Sequence, residues 1–240
     1  MHTKTAQELF TELKEIARRL GATSFGVASI EAMRAAGFEC PTPAFACLPR
    51  AISVGFRLSD AIMESLEDRP TKLYAHHYRM VNLQLDRIAL ELTEALQDHG
   101  FDALPLPASQ ITDWETRRGQ ISHKLIAYFA GLGFLGLNNL LIDPEFGARM
   151  RYVSVLTDAP LPTASPIEAS CGECRTCLPA CPAKAIGTSL DEFDLERCTE
   201  QLRFFKTKGN IGHYICGLCV KACPGPTRRQ RSSRDRDNTK

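Results

Sequence analysis

Between residues 4 and 20 apolar side chains recur at helical spacing (Leu9, Phe10, Leu13, Ile16, Ala17, Leu20) and Gly21 closes the run, which predicts a first amphipathic helix. β-Branched and aromatic residues beside glycines mark strands in TSFGVASI (23–30) and AISVGFRL (51–58), with Pro-rich irregular chain between them. Lys72 to His99 reads as one long helix whose apolar face carries Leu83, Ile88, Leu92 and Leu96, while Asp86, Arg87, Glu91 and Glu94 lie elsewhere; Gly100 is the stop. FDALPLP (101–107) is strand-like, but its prolines restrict it to an edge or a strand end. After the polar stretch ASQITDWETRRGQ, SHKLIAYFAGLG predicts a helix N-capped by Ser122. NLLIDPEFGARMRYVSVL predicts a hairpin with DPEFG as its turn, Arg149 and Arg151 alternating with Met150 and Tyr152 on the return strand. Helices mixed with antiparallel strands indicate an α+β fold, a layered domain of about 160 residues.

The loop AGLGFLGLNN holds Gly131, Gly133 and Gly136 at the G-x-G-x-x-G spacing of dinucleotide-binding turns. That fingerprint needs a strand entering and a helix leaving. Here a helix enters and a strand leaves, so the loop reads as a place where the backbone turns sharply or comes close to something. The same region, Leu125 to Ile142, runs eighteen residues without a charge, yet its glycines and Asn138-Asn139 favour a buried helix, turn and strand over a membrane span.

Composition narrows the class. With 240 residues, 44% hydrophobic, the chain can bury a real core, and a net charge of +1 argues against a dedicated nucleic-acid surface. The final TRRQRSSRDRDNTK (227–240) carries six Lys/Arg against two Asp. It reads as a basic, disordered, solvated tail, with contact to RNA or an acidic partner as the alternative. The N-terminal residues lack an uninterrupted apolar core, so neither a signal peptide nor a membrane anchor is expected, and a cytoplasmic setting would keep thiols reduced.

Ten cysteines then become informative through their spacing. CGECRTCLPACP places Cys171, Cys174, Cys177 and Cys181 at C-x2-C-x2-C-x3-C-P, the bacterial ferredoxin run. CGLCVKACP places Cys216, Cys219 and Cys223 at C-x2-C-x3-C-P, and Cys198 can supply the missing upstream ligand. In two-cluster ferredoxins the cysteine before proline ligates the other cluster. The expected sets are therefore Cys171, Cys174, Cys177 and Cys223 on one 4Fe-4S cluster, and Cys198, Cys216, Cys219 and Cys181 on the second. Two structural zinc sites or disulfides are the alternatives. Cys40 and Cys47 read as small buried or half-buried residues. Of the histidines, one of the adjacent His76 and His77 should face inward, with a cofactor contact or a catalytic role as the alternative to a structural one. His123 reads as structural. Arg149 and Arg151 could neutralise acidic groups of a ligand, against the plainer reading of solvated edge-strand arginines.

AGLGFLGLNNLLIDPEFG followed by VLTD (155–158), YAHHYRMV (74–81) and the crossed cysteine motifs resemble the epoxyqueuosine reductase family, which is related to corrinoid-dependent reductive dehalogenases. The resemblance implies a cofactor domain over 1–165, nitroreductase-like and similar to the cobalamin-processing chaperone, followed over 166–226 by a two-cluster ferredoxin-like module. It implies an oxidoreductase in which reduced ferredoxin or flavodoxin feeds two clusters and a bound cobalamin, with Tyr78, Gly131, Gly133, Gly136, Asn138 and Arg149 near that cofactor. The family's substrate is an epoxide in a modified base of tRNA; a small-molecule substrate is the other possibility. Two departures stand out. The family's proton-donating Asp, in a short Val-Asp-Ser/Thr-x-Pro stretch, has no match in LPLPASQITDWETRRG, where Asp113 is the nearest substitute. The helical-repeat region often present in the family has no counterpart after the second motif. A non-enzymatic electron carrier or reductive activator, a flavin enzyme using FMN, and a nucleic-acid-binding cluster protein are the rival readings.

Overall fold

In a computed structural model, which describes residues 4–38, 47–110, 119 and 121–225, the first periodic run folds as α1 (Ala6–Arg19). The Thr5 side chain accepts the Glu8 N–H at 3.2 Å and the Glu8 carboxylate accepts the Thr5 N–H at 2.8 Å, satisfying two donors that a helix start otherwise leaves orphaned. The chain continues through β1 (Ser24–Ser29), α2 (Ile30–Ala35), β2 (Arg50–Arg57), α3 (Asp60–Glu64), the long α4 (Lys72–Asp98), β3 (Ala103–Leu106) and α5 (His123–Phe129). The two-residue strands β4 (Phe134–Leu135) and β5 (Leu141–Ile142) precede β6 (Met150–Thr157), α6 (Cys177–Ala180), α7 (Leu195–Thr207) and α8 (Leu218–Lys221). The architecture is mixed α+β. No helix among the described residues is long and apolar enough to cross a membrane, and the uncharged stretch 125–142 is divided among α5, β4 and β5.

Two units emerge: residues 1–56, 81–132 and 151–167 form one, and 57–80, 133–150 and 168–240 the other. The sequence places a boundary near residue 165, and the cysteine-bearing segment belongs to the second unit from Glu168. Residues 57–80 and 133–150, however, group with it. The reason is non-local bonding: the Ala148 N–H donates to the Cys223 carbonyl, and Lys221 donates to the carbonyls of Glu64 and Leu66.

The first unit is built on a four-stranded sheet in the order β1-β2-β6-β3, with β1 antiparallel to β2 and β3 antiparallel to β6. Proline-containing β3 takes the edge, where a missing ladder donor is tolerated. Ile52, Ser53 and Val54 on β2 are all buried, as in a strand covered on both faces. Ala28, Ile30, Met33, Ala51, Leu106, Ile126, Phe129 and Leu156 pack as one core group. The α4 helix ends where Gly100 takes φ +82°, and its buried stripe is Val81, Leu85, Ile88, Leu92 and Leu96. Leu83, expected on that stripe, is 60% exposed, because it sits two residues from both Val81 and Leu85 and so points to the opposite side of the helix.

In the second unit, β4 and β5 form a small antiparallel hairpin. The DPEFG turn closes as expected: Asp143 and Gly147 exchange two backbone hydrogen bonds of 2.9 Å, and Asp143 Oδ1 accepts the Glu145 and Phe146 N–H groups. Its two arms do not pair onward with each other, however. The incoming arm pairs with β4, and the outgoing arm becomes β6 of the four-stranded sheet. The arms of one turn thus serve two sheets, which alternation along the sequence does not reveal.

Candidate functional site

The eight motif cysteines lie in the second unit on short, punctuated elements. Cys177 begins α6, Cys198 lies within α7 and Cys219 within α8, while the x2 spacings return the chain in tight turns such as the Cys174 N–H to the Cys171 carbonyl at 3.0 Å. The charges that oppose ionisation show which thiols lie near one another. Burial pushes the Cys177 thiol up to about 11, with further push from Cys223, Cys171 and Cys174. Burial raises Cys198, with Cys181 next and then Asp194. Burial also raises Cys216 to about 11, reinforced by Cys198 and Cys181, and raises Cys219, which is influenced by Cys216, Cys198 and Cys181 before Cys177. Thiols of the two motifs thus lie within electrostatic reach of each other, Cys177 of Cys223 and Cys198 of Cys181. Thiols in this state are protonated near neutral pH, so loading them with metal releases protons.

Apolar neighbours surround these thiols. Leu137, Cys177 and Ile186 form one packed group, with Cys171, Leu178, Cys181, Phe193 and Cys219 against it. Phe134, Ile142, Ala148 and Cys223 form another, with Leu140, Cys171 and Val220 against it. Backbone N–H groups are aimed at sulfur: Ala185 donates to Cys181 at 3.4 Å, and Leu218 donates to Cys216.

Further contacts hold the second motif beside those of Ala148 and Lys221. Thr176 Oγ1 donates to the Ala222 carbonyl at 2.9 Å, bridging the two cysteine segments. Tyr74 is buried with its ring against Gly217, between Cys216 and Cys219. Arg149 donates to Asp60 at 2.9 Å, to Glu64 at 2.6 Å and to the Lys221 carbonyl at 2.7 Å. The sequence gives no local sign of Tyr74, Asp60, Glu64 or Lys221 in these roles, since each partner is distant along the chain.

Arg149 is therefore neither a solvated edge-strand residue nor an open ligand for acidic groups: it is 3% exposed and two of its three nitrogens are bonded within the protein. Arg151 is half-buried and donates to Asn82 Oδ1 and the Ala108 carbonyl. The three loop glycines meet their own chain. A methyl on Gly131 would lie 2.9 Å from the Ser165 carbonyl oxygen, one on Gly133 would strike the Ile142 carbonyl, and one on Gly136 would lie 2.5 Å from Ile142 Cγ1. The close approach anticipated for this loop is thus protein to protein. Asn138 is buried, with Oδ1 accepting the Leu140 N–H at 3.3 Å. Tyr78 is half-buried and meets Tyr74 edge to face, centroids 6.5 Å apart.

The histidine pair divides as expected. His76 is exposed, whereas half-buried His77 accepts the Ser59 N–H through Nε2 at 3.0 Å. That bond favours a neutral ring, and burial, then His76, lowers its pKa. His123 is structural: Nε2 lies 2.9 Å from the Pro107 carbonyl and must donate to it, so in the neutral ring Nδ1 accepts from Ser154 Oγ, also at 2.9 Å. Burial lowers its pKa too. Asp113, Cys40 and the basic tail lie outside the described residues, and Cys47 is exposed rather than half-buried.

No protein-family model matches the chain. Curated relatives include the epoxyqueuosine reductase of Bacillus subtilis, 32% identical over 114 residues, which cover 44% of this chain and 29% of that protein. Another, from Synechococcus sp. (strain CC9605), is 32% identical over 171 residues, covering 67% of this chain and 50% of its own. The chain thus spans half or less of these relatives. Among solved structures, an epoxyqueuosine reductase with an epoxyqueuosine-modified tRNA-Tyr stem loop superposes with a TM-score of 0.61 at 20% identity over 92% of this chain and 66% of that one. A catabolic reductive dehalogenase superposes with a TM-score of 0.67 at 19% identity over 88% of this chain and 31% of its own. The chain resembles epoxyqueuosine reductases in sequence over part of their length, and it shares its fold with them and with the reductive dehalogenases.

Proposed function

We propose that the chain is an iron-sulfur oxidoreductase of the epoxyqueuosine reductase type. In this reading Cys171, Cys174, Cys177 and Cys223 hold one 4Fe-4S cluster, and Cys181, Cys198, Cys216 and Cys219 hold the second. The observation that supports it is that Cys177 lies near enough to Cys223, Cys171 and Cys174 to feel their charge, and Cys198, Cys216 and Cys219 near enough to feel that of Cys181, so thiols of the two motifs meet. The apolar shell and the N–H groups directed at Cys181 and Cys216 suit a buried, charge-bearing cluster, and both features set its potential. A reduced ferredoxin or flavodoxin is the proposed electron donor. Cytoplasmic residence belongs to the same proposal, since reducing surroundings keep the thiols available.

The terminal acceptor is proposed as cobalamin on the likeness to the epoxyqueuosine reductases and to a B12-dependent dehalogenase. Bound cobalamin would supply a low-potential cobalt centre for two-electron reduction. The residues anticipated around it do not themselves make a corrin cradle: Arg149 is engaged by Asp60 and Glu64, and the loop glycines are filled by their own chain. The same observations, with the unmatched proton-donor Asp, favour a second reading as an electron carrier or reductive activator of a partner's cofactor. The substrate proposed for the enzyme is an epoxide-bearing nucleoside in tRNA, with a small molecule as the other class.

Anaerobic purification with added hydroxocobalamin, followed by metal analysis and electron paramagnetic resonance, tests these readings. About eight irons per chain with stoichiometric cobalt supports the reductase. Eight irons without cobalt or flavin leaves the carrier, extracted FMN supports the flavin enzyme, and failure to hold iron removes the proposal.

A further inference from the structure

Asn138 is 4% exposed, and the Leu140 N–H bonded to its Oδ1 fixes which way the amide is turned. Its Nδ2 is buried and has no hydrogen-bond partner. An amide N–H shut away from water without an acceptor bears its full desolvation cost, so natural interiors rarely leave one there without a reason. The surroundings supply the reason. Leu137, just before it, belongs to the packed group of Cys177 and Ile186 with Cys171, Cys181 and Cys219 alongside. Leu140, two residues after it, packs on the group of Cys223, again with Cys171 alongside. The chain on both sides of Asn138 thus lines the thiol shell, and Cys171 borders both groups. In an apolar shell of this kind sulfur is the abundant acceptor. The backbone donors already noted, from Ala185 and Leu218, serve Cys181 and Cys216, both of the other set.

We propose that Asn138 donates a hydrogen bond through Nδ2 to a sulfur, thiolate or sulfide, of the cluster held by Cys171, Cys174, Cys177 and Cys223, and thereby raises that cluster's reduction potential. The inference rests on the two-cluster reading. Reduction adds one negative charge to the cluster, and a donor aimed at its sulfur stabilises the more negative state more strongly. Asn138 is a positioning and tuning residue here, not a catalytic one. Its effect falls on one cluster of the two, which separates it from a general change in the fold.

The test is a redox titration followed by electron paramagnetic resonance on the anaerobically purified full chain, comparing wild type with Asn138→Leu and Asn138→Asp. The leucine removes the donor without adding charge; the aspartate keeps the oxygen that accepts from Leu140. In both variants the ratio of reduced to oxidised first cluster at a fixed potential should fall roughly tenfold, about 59 mV for one electron, while the second cluster stays unchanged. Pulsed resonance on protein carrying 15N-asparagine should show nitrogen coupling to the reduced first cluster, lost in both variants. Full iron content with both potentials unmoved, or an equal shift of both clusters, overturns the role of Asn138 and leaves the two-cluster reading intact. A wild-type protein that holds no clusters overturns both.

Discussion

Replacing Arg149 by methionine keeps much of the side chain's apolar bulk while deleting the cation that joins α3 to α8. The Arg149 side chain is 4% exposed, against 25% for Asp60 and 57% for Glu64. Breaking a fully buried ion pair from one side costs about 3–5 kcal/mol, because the abandoned charge cannot rehydrate. An exposed pair is worth about 0.2–1 kcal/mol. Glu64 can rehydrate and Asp60 retains Arg57 as a partner, so the carboxylates contribute the smaller share. The Lys221 carbonyl loses a charged donor, adding about 1–3 kcal/mol. The sum falls near the lower end of the buried range, about 3 kcal/mol. For a chain of this size each kcal/mol moves the melting temperature about 2–4 °C, giving a fall of about 6–12 °C. Anaerobic thermal melts of iron-loaded protein measure it. Arg149→Lys should fall between the two, since an ammonium keeps the charge but cannot fork across both acids. A drop below about 2 °C for the methionine variant would refute the burial argument.

Serine substitution of the cysteines tests the crossed sets: Cys223→Ser should alter the same resonance signal as Cys171→Ser, and Cys181→Ser the same signal as Cys216→Ser, whereas pairing of Cys181 with Cys171 would overturn the assignment. Gly217→Ala places a methyl 2.7 Å from Tyr74 Cε1 at φ +84°, so a left-handed backbone cost of about 1–2 kcal/mol adds to the steric clash. Iron should be lost mainly from the second cluster, and Tyr74→Leu in the same chain should restore only the steric part. Burial holds the His123 pKa below its ordinary 6.5, so from that value downward the unfolded chain binds more protons and stability falls as pH drops. Urea midpoints between about pH 7.5 and 5.5 should therefore decline, and His123→Gln should flatten its share of the slope; an unchanged slope would refute the assignment.

Features carried by local chemistry could be read from the sequence. The limits of α4 follow from apolar periodicity and Gly100, the edge position of β3 from its prolines, the cap on α5 from Ser122, and the DPEFG turn from its Asp and Gly. The cysteine spacing led to the two crossed ligand sets proposed above. Features that depend on where distant segments meet could not be read. Arg149 finds Asp60 89 residues earlier, and no pattern around either residue names the other. The glycine loop signalled a close approach without saying that the approaching object is the chain itself. Leu83 was misplaced because a long helix with an additional apolar row offers two phases, and only packing selects between them.

The proposed crossing of the thiol sets would also constrain biosynthesis. The first set already has three of its members at Cys177 but waits for Cys223, and the second waits for Cys219. During translation neither can close until the ribosome has delivered almost the whole described chain. A nascent product stopping before α8 would therefore expose incomplete thiol sets to stray oxidants, and metal loading would wait on synthesis through α8 rather than follow the chain as it emerges.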